Sequence, residues 1–408
     1  MIQTKGLSVS FNGKTVLESL DLTFSEGELV LIYGPSGGGK TTLMRALVGV
    51  IPEIIEGNVK GRIEPRPEVI RDRCVYIPQE PWFSVATPYV WSELASFTGL
   101  KFQEVTKVLE NFGLGDKINR TTHTLSAGEL HRVSIAVAMN SHCDYVFLDE
   151  PSSYLDKKNL DVIVEHIKEL RDSGKLVVIA DHNVDLWKKH SDSIIRIPKN
   201  SINDATIRTD SLLNELRRPK SAGAIVGKVH VKTFKYPGQK FLLEDVKFEI
   251  RRGDVIHIKG PSGSGKTTLL RLIARRVNTS KVVIKINGRV CYVPDNPLLY
   301  FSEPIPIKEV LNNAQILKEF NLSHAMNTPM MRTSSGERRR IAIASALVRG
   351  YDVILFDEPT VGLDLENKLK VLQAIVNVAN QGRAFIIASH DPLVEEIATK
   401  VIELGEPR

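Results

Sequence analysis

Short runs of consecutive apolar residues are the main hydrophobic pattern of this chain. Six of them, at 29–33, 145–148, 176–180, 255–258, 353–356 and 384–388, are bounded by polar or turn-forming residues. Runs of this length are typical of parallel strands that are buried on both faces. Apolar positions alternate instead at 7–11 and 229–233, which predicts an antiparallel edge strand at the start of each half.

Helical patterns occur between the predicted strands. They occupy 43–48, 102–112 and 307–320, and the last two predict a small helical subdomain in each half. Together the patterns predict an α/β fold that is built twice. Each copy has a mostly parallel sheet core, an antiparallel β edge and a small helical subdomain.

One ordered set of residues occurs twice within the 408 residues: a lysine, a glutamine or aspartate, a serine, an acidic pair and a histidine. The offset from Lys40 to Lys266 is larger than the offset from Gln79 to Asp295, and three later pairs (126/334, 149/357 and 182/390) share a single, still smaller offset. The second copy is therefore shorter before position 334 and keeps a constant offset from there onward. This repeat predicts two domains, 1–198 and 225–408, joined by a polar, turn-rich linker at 199–224.

Each half contains the pattern GxxxxGK[ST] between a predicted strand and a predicted helix, which is the context of a phosphate-binding P-loop. Glycines let backbone N–H groups point at an anion, and Lys40 or Lys266 adds a cation near the outer phosphates. Two loops predict two ATP sites. The predicted phosphate-binding residues are Gly34, Pro35, Ser36, Gly37, Gly38, Gly39, Lys40, Thr41 and Thr42, and Gly260, Pro261, Ser262, Gly263, Ser264, Gly265, Lys266, Thr267 and Thr268.

Paired acidic residues follow two of the buried runs. Asp149 and Asp357 would hold Mg²⁺ together with the P-loop threonines. Glu150 and Glu358 follow directly, where each could accept a proton from an attacking water. A histidine follows each aspartate at the same spacing in both halves, and this repeated spacing favours contact with the γ-phosphate. The predicted metal ligands are Thr41, Gln79, Asp149, Thr267 and Asp357, and the predicted catalytic residues are Glu150, Glu358, His182, His390, Gln79 and Asp295.

Composition and charge narrow the function classes. The chain is 42% hydrophobic and 25% charged, as in ordinary globular proteins. No apolar run approaches the roughly 18 residues that cross a bilayer, and the first residues do not resemble a signal peptide, so we expect a cytoplasmic protein. Cys74, Cys143 and Cys291 have no CxxC spacing, which argues against a zinc ribbon, an iron–sulfur cluster or a disulfide framework. The net charge of +6 is compatible with an acidic membrane face or RNA as a neighbour.

The segment before each acidic pair is more specific. Ser-x-Gly-Glu, with an arginine four residues after the glycine, occurs in both halves and resembles the signature of ABC ATPases. Gln79 resembles their Q-loop glutamine, 153–156 and 361–364 resemble their D-loops, and His182 and His390 resemble their switch histidines. The resemblance covers nearly the whole chain outside the linker and implies two P-loop NTPase domains of ABC type. It also implies that Phe11 and Tyr236 stack on adenine, with Phe234 as a rival.

In the ABC family, the signature of one domain closes over the P-loop of the other. The resemblance therefore implies intramolecular pairing, with Ser334 and Gly336 at the first P-loop and Ser126 and Gly128 at the second. The second half departs from the family pattern in having Asp295 in place of the glutamine. Both glutamates and both histidines are kept, so we expect hydrolysis at both sites.

A further resemblance concerns the segment after Gln79. Residues 90–95, VWSELA, are similar to the V-x-x-E-L-A stretch of ATPases from energy-coupling-factor importers, which take up vitamins and transition-metal ions. In the second half, Val310 is expected near the position of that glutamate. Trp82, Phe83 and Trp91 either form a groove for a membrane partner or pack inside the helical subdomain.

The resemblance implies an importer ATPase that binds a transmembrane coupling subunit, lies on the inner face of the cell membrane and does not contact the cargo. The alternative is a soluble ABC factor that acts on ribosomes or nucleic acid. Under that alternative, Arg217, Arg218, Arg338 and Arg339 meet phosphate; otherwise we expect them to be solvated.

Overall fold

The computed structural model describes residues 1–11, 13–35, 37–153, 157–197, 216–219, 223–236, 243–277 and 282–405. The chain divides into two compact units, Met1–Ile202 and Asn203–Arg408. This division falls inside the predicted linker 199–224, most of which lies outside the described residues. Its last part belongs to the second unit, where Arg218 Nε donates to the carbonyl of Glu396 at 3.3 Å and Leu216 packs against the core. The limits of the linker stay a prediction.

The two units have the same number and order of strands. In the first unit they are β1 (Ile2–Phe11), β2 (Lys14–Phe24), β3 (Leu29–Tyr33), β4 (Asn58–Glu64), β5 (Cys74–Ile77), β6 (Tyr145–Asp149), β7 (Leu176–Ala180) and β8 (Ser193–Arg196). In the second they are β9 (Ile225–Phe234), β10 (Leu243–Arg251), β11 (Val255–Lys259), β12 (Val282–Ile286), β13 (Val290–Val293), β14 (Val353–Asp357), β15 (Ala384–Ala388) and β16 (Lys400–Glu403).

A five-stranded parallel sheet forms the centre of each unit. The strand orders are β5-β6-β7-β3-β8 and β13-β14-β15-β11-β16, and every neighbouring pair is parallel. Strands β6, β7, β14 and β15 are buried at every residue. The six apolar runs are thus confirmed as parallel strands covered on both faces, because side chains on each face enter a different hydrophobic cluster.

The antiparallel strands form a sheet of their own. Strand β1 pairs with β2 and β4, and β9 pairs with β10 and β12, so the opening strand of each half is the central strand of three. The prediction of antiparallel pairing is confirmed, but the prediction of edge strands is wrong. Alternating apolar residues show that one face of a strand is buried. They do not show whether a neighbouring strand pairs with one of its edges or with both.

Helices cover both faces of the parallel sheets. In the first unit they are α1 (Lys40–Leu47), α2 (Val50–Glu53), α3 (Pro67–Asp72), α4 (Val90–Thr98), α5 (Phe102–Asn111), α6 (Ala127–Asn140), α7 (Lys157–Asp172) and α8 (Val184–Trp187). In the second they are α9 (Lys266–Ile273), α10 (Pro306–Glu309), α11 (Ala314–Glu319), α12 (Ser335–Val348), α13 (Leu365–Asn380) and α14 (Pro392–Ile397). Among the described residues, none of these helices has the length and apolar character of a membrane span.

The helical subdomain accounts for the difference in length between the two halves after the Q-loop position. The predicted helix at 307–320 is two short helices, α10 and α11, separated by Leu311 and Asn312, which both have positive φ. Helix α4 has nine residues whereas α10 has four. The shortening therefore removes the second half of α4 and the loop after it, and register returns before the signature.

A buried glutamate begins this subdomain in both units, which corrects the expectation that Val310 takes its place. Glu93 accepts N–H bonds from Ala86 and Thr87, and Glu309 accepts them from Ser302 and Glu303. The offset between the two glutamates equals the offset between the two Q-loop positions. The register of the Q-loop segment thus continues as far as Glu309.

The surroundings of these two glutamates differ. Arg349 donates to Glu309 Oε1 at 3.0 Å and to Ser345 Oγ at 3.0 Å. In the first unit, serine occupies the position of Arg349, and a cavity of about 170 Å³ opens beside Glu93. An ion pair between the buried glutamate and an arginine at this position is therefore specific to the second unit.

We predict that Arg349→Met destabilises the second unit, because Glu309, 1% exposed, would remain buried without its cation. The expected loss is about 1–3 kcal/mol. All three tryptophans lie in the first unit, so hydrogen exchange of the β14 amides is the appropriate measurement. Lys228→Met, which breaks the exposed pair with Glu249 in the same unit, is the control, with an expected change below about 0.5 kcal/mol. Equal protection in both variants would contradict the prediction.

Candidate active site

Each P-loop connects a parallel strand to the helix that follows it. Lys40 Nζ donates to the carbonyls of Gly34 at 2.9 Å and Pro35 at 3.1 Å, and Lys266 repeats this with Gly260 at 2.8 Å and Pro261 at 3.0 Å. The ammonium group therefore lies over the loop, where an anion would enter. The remaining loop residues, Gly37, Gly38, Gly39, Ser262, Gly263, Ser264 and Gly265, lie between these carbonyls and the helix start, and Thr42 and Thr268 lie in the first helical turn.

Glycine is required in the first loop for steric reasons. A Cβ at Gly34 would lie 1.7 Å from the carbonyl oxygen of Ile197, and Gly39 has a φ of +99° at the start of α1. These glycines keep the backbone close to the sheet and leave its N–H groups for an anion. The hydroxyl of Ser264 in the second loop is buried and has no hydrogen-bond partner, which fits a loop shaped for an additional acceptor.

A threonine and an aspartate meet at the end of β6 in the first unit and of β14 in the second. Thr41 Oγ1 donates to Asp149 Oδ1 at 3.0 Å, and Thr267 Oγ1 donates to Asp357 Oδ1 at 3.1 Å. Burial, followed by the charge of Glu150, raises the pKa of Asp149 to about 6. Burial, followed by the charges of Asp295 and Glu358, raises the pKa of Asp357 to about 7. Burial makes the charged form of each aspartate costly, and a bound cation would offset that cost. A hydroxyl oxygen beside a carboxylate also provides the oxygen ligands that Mg²⁺ prefers.

Glu150 lies at the centre of the first site. It accepts hydrogen bonds from Gln79 Nε2 at 2.6 Å and Ser153 Oγ at 3.1 Å, and its Oε1 lies 2.8 Å from His182 Nε2. Its φ is +51°, and Glu358 has +49°. Positive φ is costly for a residue with a side chain and concentrates at functional sites. The structure therefore brings together the predicted catalytic residues of the first unit.

The second site uses the same residues differently. His390 Nε2 lies 2.9 Å from Lys266 Nζ but 3.8 Å from Glu358 Oε1. Glu358 instead accepts from Ser389 Oγ at 3.0 Å and from the N–H of His390 at 3.3 Å. Asp295 Oδ1 accepts from the N–H of Asn296 at 2.9 Å rather than repeating the Gln79 contact. Because an ammonium group can only donate, His390 Nε2 is the acceptor in this contact.

The signature serines cap the helices that follow them. Ser126 Oγ accepts from the N–H of Glu129 at 3.4 Å, and Ser334 Oγ accepts from the N–H of Glu337 at 3.3 Å. Both serines are exposed, while Gly128 is buried and Gly336 is half-buried. Because each hydroxyl accepts in its cap, its own proton remains for a further acceptor.

The predicted adenine platforms lie at the ends of the central antiparallel strands. Phe11 is half-buried at the end of β1. Tyr236 is half-buried, and its OH lies 3.4 Å from Thr268 Oγ1. Its rival Phe234 is 6% exposed and packs edge-on against Tyr236 at 5.0 Å. Phe234 is therefore a core residue, which leaves Tyr236 as the candidate of the second unit.

The motif set missed two residues that contact the acidic pair. Tyr76 OH donates to Asp149 Oδ2 at 3.2 Å, and Tyr292 OH donates to Asp357 Oδ2 at 3.1 Å. An arginine hydrogen-bonds each tyrosine, Arg45 in the first unit and Arg271 in the second. The two tyrosines are separated by the same offset as the Q-loop positions, and the two arginines by the same offset as the P-loop lysines. A comparison of the two halves could therefore have identified them as site residues.

The expectation that Arg338 and Arg339 are solvated or meet nucleic acid is wrong. They are 6% and 5% exposed. Arg338 donates to the carbonyl of Thr333, and Arg339 donates to the carbonyls of Glu358 at 2.7 Å and Asp295 at 2.8 Å. Most of α12 is buried, so its sequence does not alternate between an apolar face and a polar face. A charged residue on this helix is therefore not a sign of exposure.

Two predicted features lie outside the described residues. They are Ser36 of the first P-loop and residues 154–156 of the first D-loop. The second D-loop is described at 361–364, where its Asp364 caps α13 by accepting from the N–H of Asn367 at 2.8 Å.

Sequence comparison matches residues 17–153 and 243–361, more than half of the chain, to the family described as ABC transporter. A Methanosarcina mazei relative, named as an ABC transporter ATP-binding protein, is 25% identical over 465 aligned residues, which cover 99% of this chain and 93% of the relative. A Bacillus subtilis relative, named as an HMP/thiamine import ATP-binding protein, is 25% identical, with 100% and 90% covered.

Structural comparison finds solved chains of similar fold. An archaeal ribosome recycling factor, solved in complex with a ribosomal stalk protein, has a TM-score of 0.62 at 25% identity, with 98% of this chain and 88% of that chain covered. A structure named RNase-L Inhibitor has a TM-score of 0.60 at 24% identity, with the same coverage, and supports the fold alone.

We predict that Tyr292→Phe destabilises the second unit by about 1–3 kcal/mol, because the Asp357 carboxylate would lose a buried donor. Hydrogen exchange of the β14 amides, in the absence of nucleotide and divalent cation, measures the change. Ser323→Ala removes an exposed hydroxyl in the same unit and is the control, with an expected effect below about 0.5 kcal/mol. Unchanged protection in Tyr292→Phe would show that this hydroxyl does not support the carboxylate.

Proposed function

This chain is a tandem ATPase of the ABC transporter family, and on that premise we propose that its two units form two composite ATP sites that power a membrane importer. The observation that carries the ATPase part is the convergence of Gln79, His182 and Ser153 on Glu150 at the end of a buried strand. Such an arrangement fixes one carboxylate where it can accept a proton from a water that attacks the γ-phosphate.

At each site, the P-loop binds the phosphates and the strand end holds the metal ion. Lys40 and Lys266 bind the outer phosphates, and Phe11 and Tyr236 stack on adenine. Mg²⁺, held by Thr41 with Asp149 or by Thr267 with Asp357, would draw negative charge from the phosphate oxygens. Because Gln79 donates to Glu150 at 2.6 Å, we assign it to orienting the base rather than to the metal.

Glu150 and Glu358 accept the proton of the attacking water. His182 keeps Glu150 oriented from 2.8 Å and can turn to the γ-phosphate. His390 lies against Lys266 instead, on the phosphate side of the second site. Asp295 adds a third carboxylate near Asp357 and Glu358, with Arg271 as a nearby counter-charge.

The signature residues complete the opposite site. Ser126 and Ser334 are exposed at helix starts and keep a hydroxyl proton for an acceptor. Helix starts and hydroxyl donors suit an anion. We therefore pair Ser334 and Gly336 with the first P-loop, and Ser126 and Gly128 with the second.

We predict that hydrolysis occurs at both sites. Glu150→Gln and Glu358→Gln each remove one proton acceptor, so each should lower steady-state phosphate release, and the double variant should lower it by at least about 100-fold. Glu165→Gln, an exposed position on α7, is the control and should retain wild-type turnover. Hydrolysis at both sites is excluded if one single variant is unaffected and the other is inactive.

The importer part of the proposal rests on the surface that follows Gln79. Phe83 is 51% exposed and Trp91 is 36% exposed, and Trp91 packs edge-on against the exposed Phe102 at 6.0 Å. Trp82, in contrast, is half-buried against the core. Adjacent exposed aromatic side chains favour protein contact. The Bacillus subtilis relative named for HMP/thiamine import supports the same direction, and an energy-coupling-factor importer for a vitamin or metal ion is the finer proposal.

A soluble factor acting on ribosomes is the second candidate, favoured by the similarity to the archaeal ribosome recycling factor. Of the arginines that this candidate would use, Arg338 and Arg339 are buried, which leaves Arg217 and Arg218 exposed. Buried guanidinium groups cannot meet backbone phosphate.

Fractionation of a tagged chain from its own cells tests the two candidates. We expect co-purification with a multi-span membrane protein, and a roughly 10-fold loss of that protein in Phe83→Glu/Trp91→Glu at unchanged basal ATP hydrolysis. Val283→Glu, at an exposed position on β12, is the matched control and should keep the partner. Co-sedimentation with ribosomes at low salt, and never with a membrane protein, would overturn the importer proposal.

A further inference from the structure

One buried position on the signature helices differs in chemistry between the two units. It is His131 on α6 and Arg339 on α12, which repeat at the offset of the signature serines. His131 is 0% exposed and Arg339 is 5% exposed. Each lies five residues after the signature serine, on the side of the helix that faces its own sheet.

Arg339 bridges two other motifs of its unit. Its Nη1 donates to the carbonyl of Glu358 at 2.7 Å, and its Nη2 donates to the carbonyl of Asp295 at 2.8 Å. His131 occupies the same place in the first unit, where its ring contacts the backbone of Gln79 and Pro151. The same three segments are therefore joined in both units: the signature helix, the Q-loop position and the turn that carries the candidate base.

These three segments serve different ATP sites under the proposed function, on which this inference rests. Ser334, at the start of α12, completes the first site, whereas Asp295 and Glu358 belong to the second. Ser126, at the start of α6, completes the second site, whereas Gln79 and Glu150 belong to the first. A side chain that joins these segments within one unit joins the two sites.

We propose that Arg339 and His131 are positioning residues that couple the two ATP sites, each transmitting a movement of its signature helix to the glutamate turn of its own unit. Arg339 holds two carbonyls with one rigid, charged guanidinium. His131 contacts its carbonyls through an imidazole, which has only two ring nitrogens. Nucleotide at the first site therefore affects the second site more strongly than the reverse.

The test uses the full chain carrying Glu150→Gln, in which turnover comes from the second site. Arg339→Met keeps the volume of the side chain and removes both donors, and Arg339→Lys keeps a single cationic donor group. Arg338→Met is the matched control, because Arg338 is equally buried on the same helix and donates to the carbonyl of Thr333. Phosphate release is measured against ATP concentration, and thermal unfolding of every variant is recorded.

We expect Arg339→Met to lower kcat by about 10-fold at a KM changed less than about twofold, since the base would be misplaced while phosphate binding is kept. Arg339→Lys should recover part of kcat. In the chain without Glu150→Gln, the Hill coefficient for ATP should fall toward 1 in Arg339→Met only. Arg338→Met should change neither kcat nor the Hill coefficient, even if it lowers the thermal unfolding temperature as much as Arg339→Met does.

Equal kinetics of Arg339→Met and Arg338→Met would overturn the coupling role and reduce Arg339 to packing. A separate variant distinguishes that result from failure of the composite sites. Ser334→Arg in the Glu358→Gln chain should abolish turnover at the first site. If it does, and Arg339→Met still behaves like Arg338→Met, composite pairing stands and the coupling is wrong. If Ser334→Arg is without effect, the pairing and the coupling are both wrong.

Discussion

The hydrogen bond between the P-loop threonine and the buried aspartate that ends β6 or β14 is the constraint on which each site depends. Thr41 to Asp149 spans 3.0 Å, and Thr267 to Asp357 spans 3.1 Å. Each bond ties the phosphate loop to a strand of a sheet covered on both faces. Because that strand is fully buried, the carboxylate and the glutamate after it cannot relax toward solvent. Backbone strain at Glu150 and Glu358 is tolerated because the sheet, the P-loop helix and the following loop determine that turn together.

The two units keep this centre and vary what surrounds it. His182 lies on Glu150, whereas His390 lies on Lys266. The first unit exposes aromatic residues after Gln79 and has an open cavity beside Glu93. In the second unit, Arg349 pairs with the equivalent glutamate, Glu309. We infer that duplication preserved the chemistry and let docking and coupling diverge, so that the proposed partner meets two different surfaces.

Sequence reasoning predicted the fold and most of the site because both follow from local patterns. The buried runs ended within one residue of β3, β6, β7, β11, β14 and β15, and the glycine loops and acidic pairs lie together. It failed where the outcome depends on neighbours distant in sequence. The alternating pattern of β1 does not show how many strands pair with it. The charge of Arg338 and Arg339 does not show that these side chains are buried. Tyr76 and Tyr292 were missed for the same reason, although their spacing repeats that of the Q-loop positions.

The central claim is that the signature of each unit completes the nucleotide site of the other. Photolabelling with an ATP analogue that carries its reactive group on the γ-phosphate tests this directly, with the modified peptides identified by mass spectrometry. In Lys266→Ala, which leaves only the first P-loop able to bind, label should appear on the peptide containing Ser334; in Lys40→Ala it should appear on the peptide containing Ser126. Label on the signature peptide of the same unit as the intact P-loop would contradict the account.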